Sequence, residues 1–462
     1  HLAFKEKEVC LLHGVTSSGK TELYIKLIEQ QLKQRKQVLY LLPEIALTTQ
    51  IIKRLQKHFG NKVGIIHSHL NNGERVEVWK AVQEHDNKKI QYPIMLGARS
   101  ALFLPFNNLG LIIVDEEHDS SFKQQQPAPR YHARDAAIYL AHLHKAKVLL
   151  GSATPCVESY YNAKTGKYAL VEMSTRFAGI ALPEIQTIDI RKAHLKKQMT
   201  QQFAPKMLSA IKETLESGRQ VILFQNRRGY SPVLSCGTCA HTPNCNSCDV
   251  SLTFHKWNNQ LKCHYCGYTE QVPDFCPSCG AKDFTDKGFG TEQIEESLKE
   301  LLPTYVTKRM DYDTTRGKNA HQQIITDFEQ GRIDMLVGTQ MVTKGLDFDN
   351  VALVAILNAD SMLHFPDFRA YERAFQLMMQ VSGRAGRKGQ QGQVLVQTYD
   401  EEHDMFGLLK TNDYNSFIRQ QVQERKLFSY PPYNRLIGVT LKHKNQRKLD
   451  ETANALVVLL RK

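Results

Sequence analysis

The sequence has no apolar run of about 18 residues, the length that a membrane-spanning helix needs. It also lacks a low-complexity tract, and its first residues do not have the pattern of a secretory signal. These absences argue against a membrane or secreted protein and favour a cytoplasmic one. With 462 residues, 42% of them hydrophobic, the chain can form two to four globular domains.

Acidic residues are in short supply relative to basic ones. The chain has 47 Asp and Glu against 60 Lys and Arg, which gives a formal net charge of +13. A basic protein favours a polyanionic partner, most often a nucleic acid. Many basic proteins bind no nucleic acid, so the motifs must identify the partner.

Cysteine is scarce outside one short segment, which holds eight of the ten cysteines. Two thiolates in a C-x-x-C pair can bind the same tetrahedral ion, so four such pairs predict two closed Cys₄ zinc sites. A disulfide framework is the alternative, but it is typical of small secreted domains. The zinc would be structural, because no coordination position stays open. The predicted metal ligands are Cys236, Cys239, Cys245, Cys248, Cys263, Cys266, Cys276 and Cys279.

The spacing of the pairs bears on which of them share an ion. Five residues separate Cys239 from Cys245, which is short for two pairs that face one ion, whereas fourteen separate Cys248 from Cys263, as in zinc ribbons. This spacing favours a nested arrangement, in which the two inner pairs share one ion and the two outer pairs share the other. An interleaved arrangement stays open.

Residues 14–21 read G-V-T-S-S-G-K-T and match the phosphate-binding pattern G-x-x-x-x-G-K-[ST]. An apolar stretch at 9–12 precedes them and a helical pattern at 22–34 follows, which is the strand–loop–helix context of such a loop. Its backbone N–H groups would face the β-phosphate, its lysine the β- and γ-phosphates, and its threonine Mg²⁺. The predicted nucleotide-binding residues are Gly14, Val15, Thr16, Ser17, Ser18, Gly19, Lys20 and Thr21.

The second half of the predicted nucleotide site follows the apolar run 109–114. This run predicts a buried parallel strand. The run ends in Asp115-Glu116-Glu117-His118. Asp115 is expected to bind the nucleotide's Mg²⁺ through water, and Glu116 to orient the attacking water. A solvated acidic turn would explain one acid but not its combination with the phosphate loop. The sequence therefore predicts an ATPase that uses Mg²⁺.

Further motifs follow in a fixed order. Residues 115–118, 151–154 (G-S-A-T) and 380–387 (Q-V-S-G-R-A-G-R) resemble motifs II, III and VI of superfamily 2 helicases. This resemblance becomes specific to one helicase family when three further segments and the cysteine pairs are included. The segments are 41–48, 97–103 and 226–230. From about residue 5 to 440 the chain resembles the primosomal protein N′ (PriA) family of bacterial replication-restart helicases.

The resemblance implies an α/β fold of two RecA-like P-loop lobes with parallel sheets, a double Cys₄ zinc module inserted in lobe 2, and the start of an α+β C-terminal domain. The expected boundaries are 1–180 for lobe 1, 181–235 for a linker and the start of lobe 2, 236–280 for the zinc insertion, 281–425 for the rest of lobe 2, and 426–462 for a partial C-terminal domain. Because the chain begins at His1, we expect a fragment without the family's N-terminal DNA-binding region and most of its C-terminal domain.

The motif VI residues Gln380, Arg384 and Arg387 lie about 360 residues after the phosphate loop, so they can meet the nucleotide only across an interface between lobes. A guanidinium there would neutralise charge on the γ-phosphate, whereas a solvated basic helix end is the alternative. The expected catalytic residues are Lys20, Asp115, Glu116, Gln380, Arg384 and Arg387. By resemblance, Gly345 and Asp347 lie near the nucleotide, while Thr339 and Gln340 face the DNA backbone.

Two departures from the family are visible. Ser17 stands where the family has glycine, and we expect ATP binding to survive this change. The loop 119–131 corresponds to an aromatic-rich segment that links DNA binding to the ATPase, but here only Phe122 and Tyr131 are aromatic. A role in stacking bases is therefore weaker in this chain, and a surface loop whose two rings face the core is the alternative.

The resemblance implies an ATP-dependent 3′→5′ DNA helicase that restarts stalled or branched forks by primosome assembly. The implied partners are forked or single-stranded DNA, single-stranded-DNA-binding protein and the primosome proteins that load the replicative helicase. The implied state is a cytoplasmic, nucleoid-associated monomer with no membrane contact. Alternatives are a branched-DNA translocase, an RNA helicase, or a zinc-containing scaffold with a vestigial ATPase; the intact ATPase motifs argue against the last.

Overall fold

The computed structural model describes residues 2–43, 49–67, 70–83, 91–176, 181–226, 233–239, 241–248, 250–255, 258–263, 265–285, 290–311, 314–315, 320–342, 348–386 and 391–461. Three residues predicted for the nucleotide site, Gly345, Asp347 and Arg387, lie outside these ranges. No helix within the described ranges is both long and apolar enough to cross a membrane.

The first lobe contains a seven-stranded parallel sheet in the order β3-β4-β2-β5-β6-β1-β7. Its strands are β1 Val9–Gly14, β2 Gln37–Leu41, β3 Val63–Ile66, β4 Ile94–Gly97, β5 Leu109–Asp115, β6 Lys147–Ser152 and β7 Ala169–Met173. Its helices are α1 Leu2–Glu6, α2 Lys20–Lys33, α3 Thr49–Phe59, α4 Asn72–Gln83, α5 Ala133–His144 and α6 Val157–Lys164.

Both faces of this sheet are covered, which explains why its strands read as continuous apolar runs. Along β5, Ile112 and Val114 enter one hydrophobic core, whereas Leu111 and Ile113 enter another on the opposite face. All strands are parallel, so the carboxyl ends of β1, β5 and β6 meet at one edge. The phosphate loop, the acidic turn and the G-S-A-T segment therefore come together there.

The second lobe contains a six-stranded parallel sheet in the order β15-β16-β9-β17-β18-β8, interrupted in sequence by the cysteine-rich insertion. Strands after residue 180 are β8 Glu184–Asp189, β9 Gln220–Phe224, β10 Ser235–Cys236, β11 Thr253–His255, β12 Gln260–Lys262, β13 Thr269–Gln271, β14 Phe284–Thr285, β15 Thr307–Met310, β16 Met335–Gly338, β17 Val351–Ile356 and β18 Gln393–Thr398. Helices there are α7 Ile190–Leu195, α8 Pro205–Glu216, α9 Thr291–Leu301, α10 Ala320–Glu329, α11 Asp360–Leu363, α12 Ala370–Ser382, α13 Asp404–Lys410, α14 Tyr414–Leu427 and α15 Gln446–Leu460.

The insertion between β9 and α9 has little regular structure. Strands β10 and β14 pair antiparallel at its base, and β11, β12 and β13 form a small antiparallel sheet. With the two parallel sheets, this confirms the predicted fold of two RecA-like lobes and a cysteine-rich module in lobe 2.

The two lobes share a hydrophobic core, in which Val157 and Tyr160 of α6 lie with Phe375 of α12 and Phe417 of α14. After Tyr430 the one regular element within the described ranges is α15, and no residue of that helix is buried. Residues 436–442 form no strand in the described structure.

Candidate nucleotide site between the lobes and two cysteine clusters

The phosphate loop turns from β1 into α2 through two left-handed residues. Gly19 has φ +90° and Ser17 has φ +62°, so Ser17 adopts a conformation that glycine takes more readily. The departure from the family at this position therefore keeps the backbone shape at a cost of about 1 kcal/mol. The Lys20 Nζ donates to the carbonyl oxygens of Gly14, at 2.7 Å, and Val15, at 3.3 Å.

Four charged side chains converge on the end of this loop. Burial lowers the pKa of Lys20, while Glu116 and Asp115 oppose that shift and the nearby Arg384 adds to it. Burial also lowers the pKa of Arg384 to about 10, again opposed by Glu116. Lys20 and Glu116 of lobe 1 therefore lie within electrostatic reach of Arg384 of lobe 2, and Asp115 interacts with Lys20 and Glu116.

The Asp115 carboxylate is buried and held on both oxygens. Tyr24 Oη donates to Oδ1 at 3.0 Å, and Tyr40 Oη donates to Oδ2 at 2.9 Å. Burial, reinforced by Glu116, raises the pKa of Asp115 to about 6. Neither tyrosine belongs to a helicase motif named above, and the sequence reasoning missed both. The sequence positions of Tyr24 in α2 and Tyr40 in β2 do not predict these hydrogen bonds, because the bonds depend on the order of the strands in the sheet.

Among the acids of residues 115–118, Glu116 is the one with an entire carboxylate oxygen available to a ligand. Its backbone has φ +51°, an unusual conformation for a non-glycine residue, and such strain is concentrated at functional sites. Among the described residues, its buried Oε2 and the buried Ser18 Oγ make no hydrogen bond. Buried polar atoms normally have partners, so these atoms, with Lys20 and the N-terminus of α2, suit a phosphate group and its hydrated Mg²⁺.

The next acid, Glu117, has a structural role. It is fully buried, forms an ion pair with Arg134 at 3.0 Å, and accepts hydrogen bonds from Cys156 N and Ser159 Oγ, both at 2.8 Å. These contacts fix the acidic turn against the start of α6.

His118 joins the two lobes. The Gln380 amide donates to its Nε2 at 2.6 Å, and its Nδ1 lies 2.7 Å from Ser152 Oγ. The same Ser152 oxygen accepts from Thr154 N at 2.9 Å. The acidic box, the G-S-A-T segment and motif VI are therefore linked by one chain of hydrogen bonds.

One face of α12 carries three polar contacts to lobe 1, at positions four residues apart. Glu372 accepts from Val157 N at 2.8 Å, Gln376 donates to Thr154 O at 3.2 Å, and Gln380 meets His118. Polar residues with this spacing in an otherwise apolar helix were a usable sequence signal for Glu372 and Gln376, which the motif search missed.

Beyond α12, Gly383 packs directly on the phosphate loop. A Cβ built on Gly383 would come within 2.8 Å of Thr16 Oγ1, so glycine permits this approach.

A buried ion network extends the lobe contact. Arg425 of α14 pairs with Glu372 at 2.6 Å and with Glu158 of lobe 1 at 3.1 Å. Arg369 pairs with the same two acids, at 3.1 and 2.5 Å. Burial alone would raise the pKa of Glu372, but the neighbouring Arg425 and Arg369 lower it to about 2. This acid therefore stays ionised even in mildly acidic solution.

Substitution of Arg425 by Met should lower the free energy of unfolding by about 3 kcal/mol, because it removes an arginine that pairs with the buried Glu372 and the partly buried Glu158. Urea denaturation at pH 7 measures this change. Arg447→Met is the matched control, since Arg447 forms an exposed pair with Glu451 on α15 and should change nothing measurable. Equal shifts in the two variants would contradict a role for the network in stability.

The eight cysteines of the C-x-x-C pairs form two groups of four, in the nested arrangement. Cys236, Cys239, Cys276 and Cys279 lie together, as do Cys245, Cys248, Cys263 and Cys266, with all sulfurs of a group within 4.8 Å of one another. Sulfur–sulfur distances of 3.6 Å exclude disulfides, which need about 2.05 Å. They are close to the separation of about 3.8 Å that Zn–S bonds of about 2.3 Å impose on a tetrahedron. Both groups therefore fit structural zinc.

The inner cysteine group is docked on lobe 2 and on the segment that follows α14. Tyr430 Oη donates to the Cys248 carbonyl at 2.8 Å, and its ring stacks on Phe368 with centroids 4.6 Å apart. Tyr265 of the module meets both rings edge-on. This aromatic contact lies beside Arg425 and so connects the module to the lobe interface.

The residues expected to face DNA are less exposed than the sequence suggested. Phe122 is fully buried in the lobe 1 core and has no face available for a base. Tyr131 is partly buried, and the exposed Phe103 meets its ring edge at a centroid distance of 5.3 Å. Thr339 is buried, and Gln340 donates to Asn226 Oδ1 at 3.4 Å.

Comparison with family models matches three parts of the chain. Residues 2–162 match the DEAD/DEAH box helicase family, residues 245–271 the Cys-rich region domain of PriA DNA helicase, and residues 284–389 the helicase conserved C-terminal domain.

Curated relatives extend the match to almost the whole chain. Replication restart protein PriA of Bacillus subtilis (strain 168) is 44% identical over 456 residues, which are 99% of this chain and 56% of that protein. The protein of the same name from Rickettsia felis is 40% identical over 448 residues, which are 97% of this chain and 68% of that protein. The chain spans just over half the length of several such relatives.

Solved structures support the fold. RecG bound to a three-way DNA junction aligns with 96% of this chain and 47% of that one, with a TM-score of 0.51 and 15% identity. Mycobacterium smegmatis helicase Lhr bound to ssDNA and AMP-PNP aligns with 89% of this chain and 47% of that one, with a TM-score of 0.53 and 15% identity.

Proposed function

The chain belongs to the PriA family of replication restart proteins, and on that premise we propose that it is the ATP-driven motor of a DNA helicase that acts at stalled or branched replication forks. The motor hydrolyses ATP between its two lobes, and the strand separation that follows prepares the fork for primosome assembly. Its polarity, by superfamily resemblance, is 3′→5′.

One observation supports this function above all. Lys20 and Glu116 lie in lobe 1 within electrostatic reach of Arg384, which belongs to lobe 2, and Asp115 interacts with both of these lobe 1 residues. A site divided between two lobes can close around a nucleotide and open after hydrolysis, which converts chemistry into motion.

Each side chain has a distinct task. Lys20 leaves its two carbonyl partners to bind the β- and γ-phosphates. Thr21 and Asp115 would hold a hydrated Mg²⁺, which would supply positive charge against the phosphates. Glu116 orients the attacking water, and Arg384 stabilises the charge that develops on the γ-phosphoryl group. Gln380 couples the position of lobe 2 to His118 of lobe 1 through their hydrogen bond. Arg387, Gly345 and Asp347 complete the nucleotide site in our proposal.

DNA is held mainly by its phosphates, because the chain is basic and a translocating motor must not depend on sequence. The partners we propose are single-stranded-DNA-binding protein and the primosome proteins that load the replicative helicase. The protein works as a cytoplasmic monomer at the nucleoid. The two zinc ions maintain the insertion, which lies beside the lobe interface.

ATPase assays with different nucleic acids test this proposal. Forked DNA should stimulate hydrolysis most, single-stranded DNA less, and single-stranded RNA of the same sequence least. Stimulation should fall as the salt concentration rises, because phosphate contacts release counterions. Equal or stronger stimulation by RNA would identify an RNA helicase instead, and hydrolysis that ignores nucleic acid would reject a nucleic-acid motor.

A further inference from the structure

The Asp115 carboxylate has nearly all of its acceptor capacity used within the protein. Oδ1 accepts from Tyr24 Oη at 3.0 Å and from Glu116 N at 3.2 Å, and Oδ2 accepts from Tyr40 Oη at 2.9 Å. An ionised carboxylate offers about four lone-pair positions. The hydrogen bonds therefore leave about one position, on Oδ2, for a ligand from outside.

Both tyrosines are built into the lobe 1 core, and each comes from a different element. Tyr24 lies on α2, one turn after the phosphate loop, and Tyr40 lies near the end of β2; both are 0% exposed. Their rings meet edge-on with centroids 5.7 Å apart. The two hydroxyls therefore form a rigid pair that fixes the orientation of the carboxylate.

The neighbouring strand leaves room for this pair. A Cβ built on Gly151, at the end of β6, would overlap the Tyr24 hydroxyl. The first glycine of the G-S-A-T segment thus permits the Tyr24–Asp115 hydrogen bond, in addition to any role of that segment in joining the lobes.

We propose that Tyr24 and Tyr40 are positioning residues that hold Asp115 so that it receives one water of the hydrated Mg²⁺ of Mg·ATP and does not bind the ion directly. This inference rests on the proposed ATPase function and adds the residues that orient its metal-binding acid. Partners that orient a metal-binding group typically change metal affinity about 10- to 100-fold when they are removed.

The test separates metal binding from nucleotide binding. A fluorescent ATP analogue is titrated into the whole protein with Mg²⁺ and then with EDTA, and the ratio of the two affinities gives the contribution of the metal. Tyr24→Phe and Tyr40→Phe should each reduce this ratio by about tenfold or more, with little change in the EDTA affinity. Tyr168→Phe is the control and should behave as wild type, because Tyr168 is a partly buried tyrosine of lobe 1 outside the site.

Three further outcomes make the test decisive. Gly151→Ala keeps both tyrosines in the sequence, but its added Cβ should displace the Tyr24 hydroxyl. It should therefore reproduce the effect of Tyr24→Phe, and it serves as the test if the Tyr24→Phe variant does not fold. A wild-type ratio in folded Tyr24→Phe and Tyr40→Phe, or equal losses with and without Mg²⁺, would overturn the positioning role and leave the proposed ATPase intact. Wild-type protein that binds no ATP analogue would overturn both.

Discussion

ATP hydrolysis by Lys20→Ala should fall by about 10²–10³-fold, because the substitution removes the cation that stabilises the transferring phosphoryl group. Lys20 is enclosed between the Gly14 and Val15 carbonyls and the acids of the box, and within the described ranges no other lysine contacts these carbonyls. We expect binding to single-stranded DNA to stay close to wild type, because the Lys20 ammonium is held by loop carbonyls inside the proposed nucleotide site. Steady-state ATPase assays and fluorescence anisotropy with labelled DNA measure the two effects.

Lys26→Ala is the matched control for this prediction. Lys26 lies on the same helix, α2, but its side chain is exposed, so the variant should hydrolyse ATP at the wild-type rate. Near-normal turnover by Lys20→Ala would place the chemistry at another site and contradict the proposed nucleotide site.

We expect purified protein to contain two zinc ions per chain, and Cys263→Ser to lose one of them. Cys263 is fully buried in the inner cysteine group, where a hydroxyl cannot replace the thiolate. The insertion has only short strands and a small core, so metal binding supplies most of its folding free energy, about 10 kcal/mol or more for a structural zinc. We therefore expect this half of the insertion to unfold while both lobes keep their structure.

Inductively coupled plasma mass spectrometry gives the zinc content, and limited proteolysis locates the unfolded segment. Cys10→Ala is the control, because Cys10 is buried in the lobe 1 core and belongs to neither cysteine group. One zinc ion or none in an active wild-type protein would reject the two-site assignment, as would an unchanged zinc content in Cys263→Ser.

The core strands were predictable because each signal is local. The apolar run 109–114 became β5 Leu109–Asp115, and the helical pattern 22–34 became α2 Lys20–Lys33. The spacing of the cysteine pairs favoured the nested arrangement but left an interleaved one open, and the structure shows the nested one. Strand β8 carries no motif, and its place at the edge of the second sheet depends on pairing with a strand about 200 residues later.

The contacts that orient the site could not be read from the sequence. Tyr24 and Tyr40 reach Asp115 only because the sheet order places β2 next to β5 and α2 beside both. Phe122 illustrates the opposite case, because an aromatic residue in a predicted loop was a candidate for base stacking but is buried. Burial of a single aromatic ring depends on tertiary packing, which has no local sequence signal.

Unwinding of a fluorescently labelled forked DNA by this protein tests the central claim most directly. With ATP and Mg²⁺ the wild-type protein should separate the strands, whereas Lys20→Ala, or wild-type protein without ATP, should leave the fork intact. DNA-stimulated ATP hydrolysis without strand separation would contradict a helicase, and so would equal unwinding by wild-type protein and Lys20→Ala.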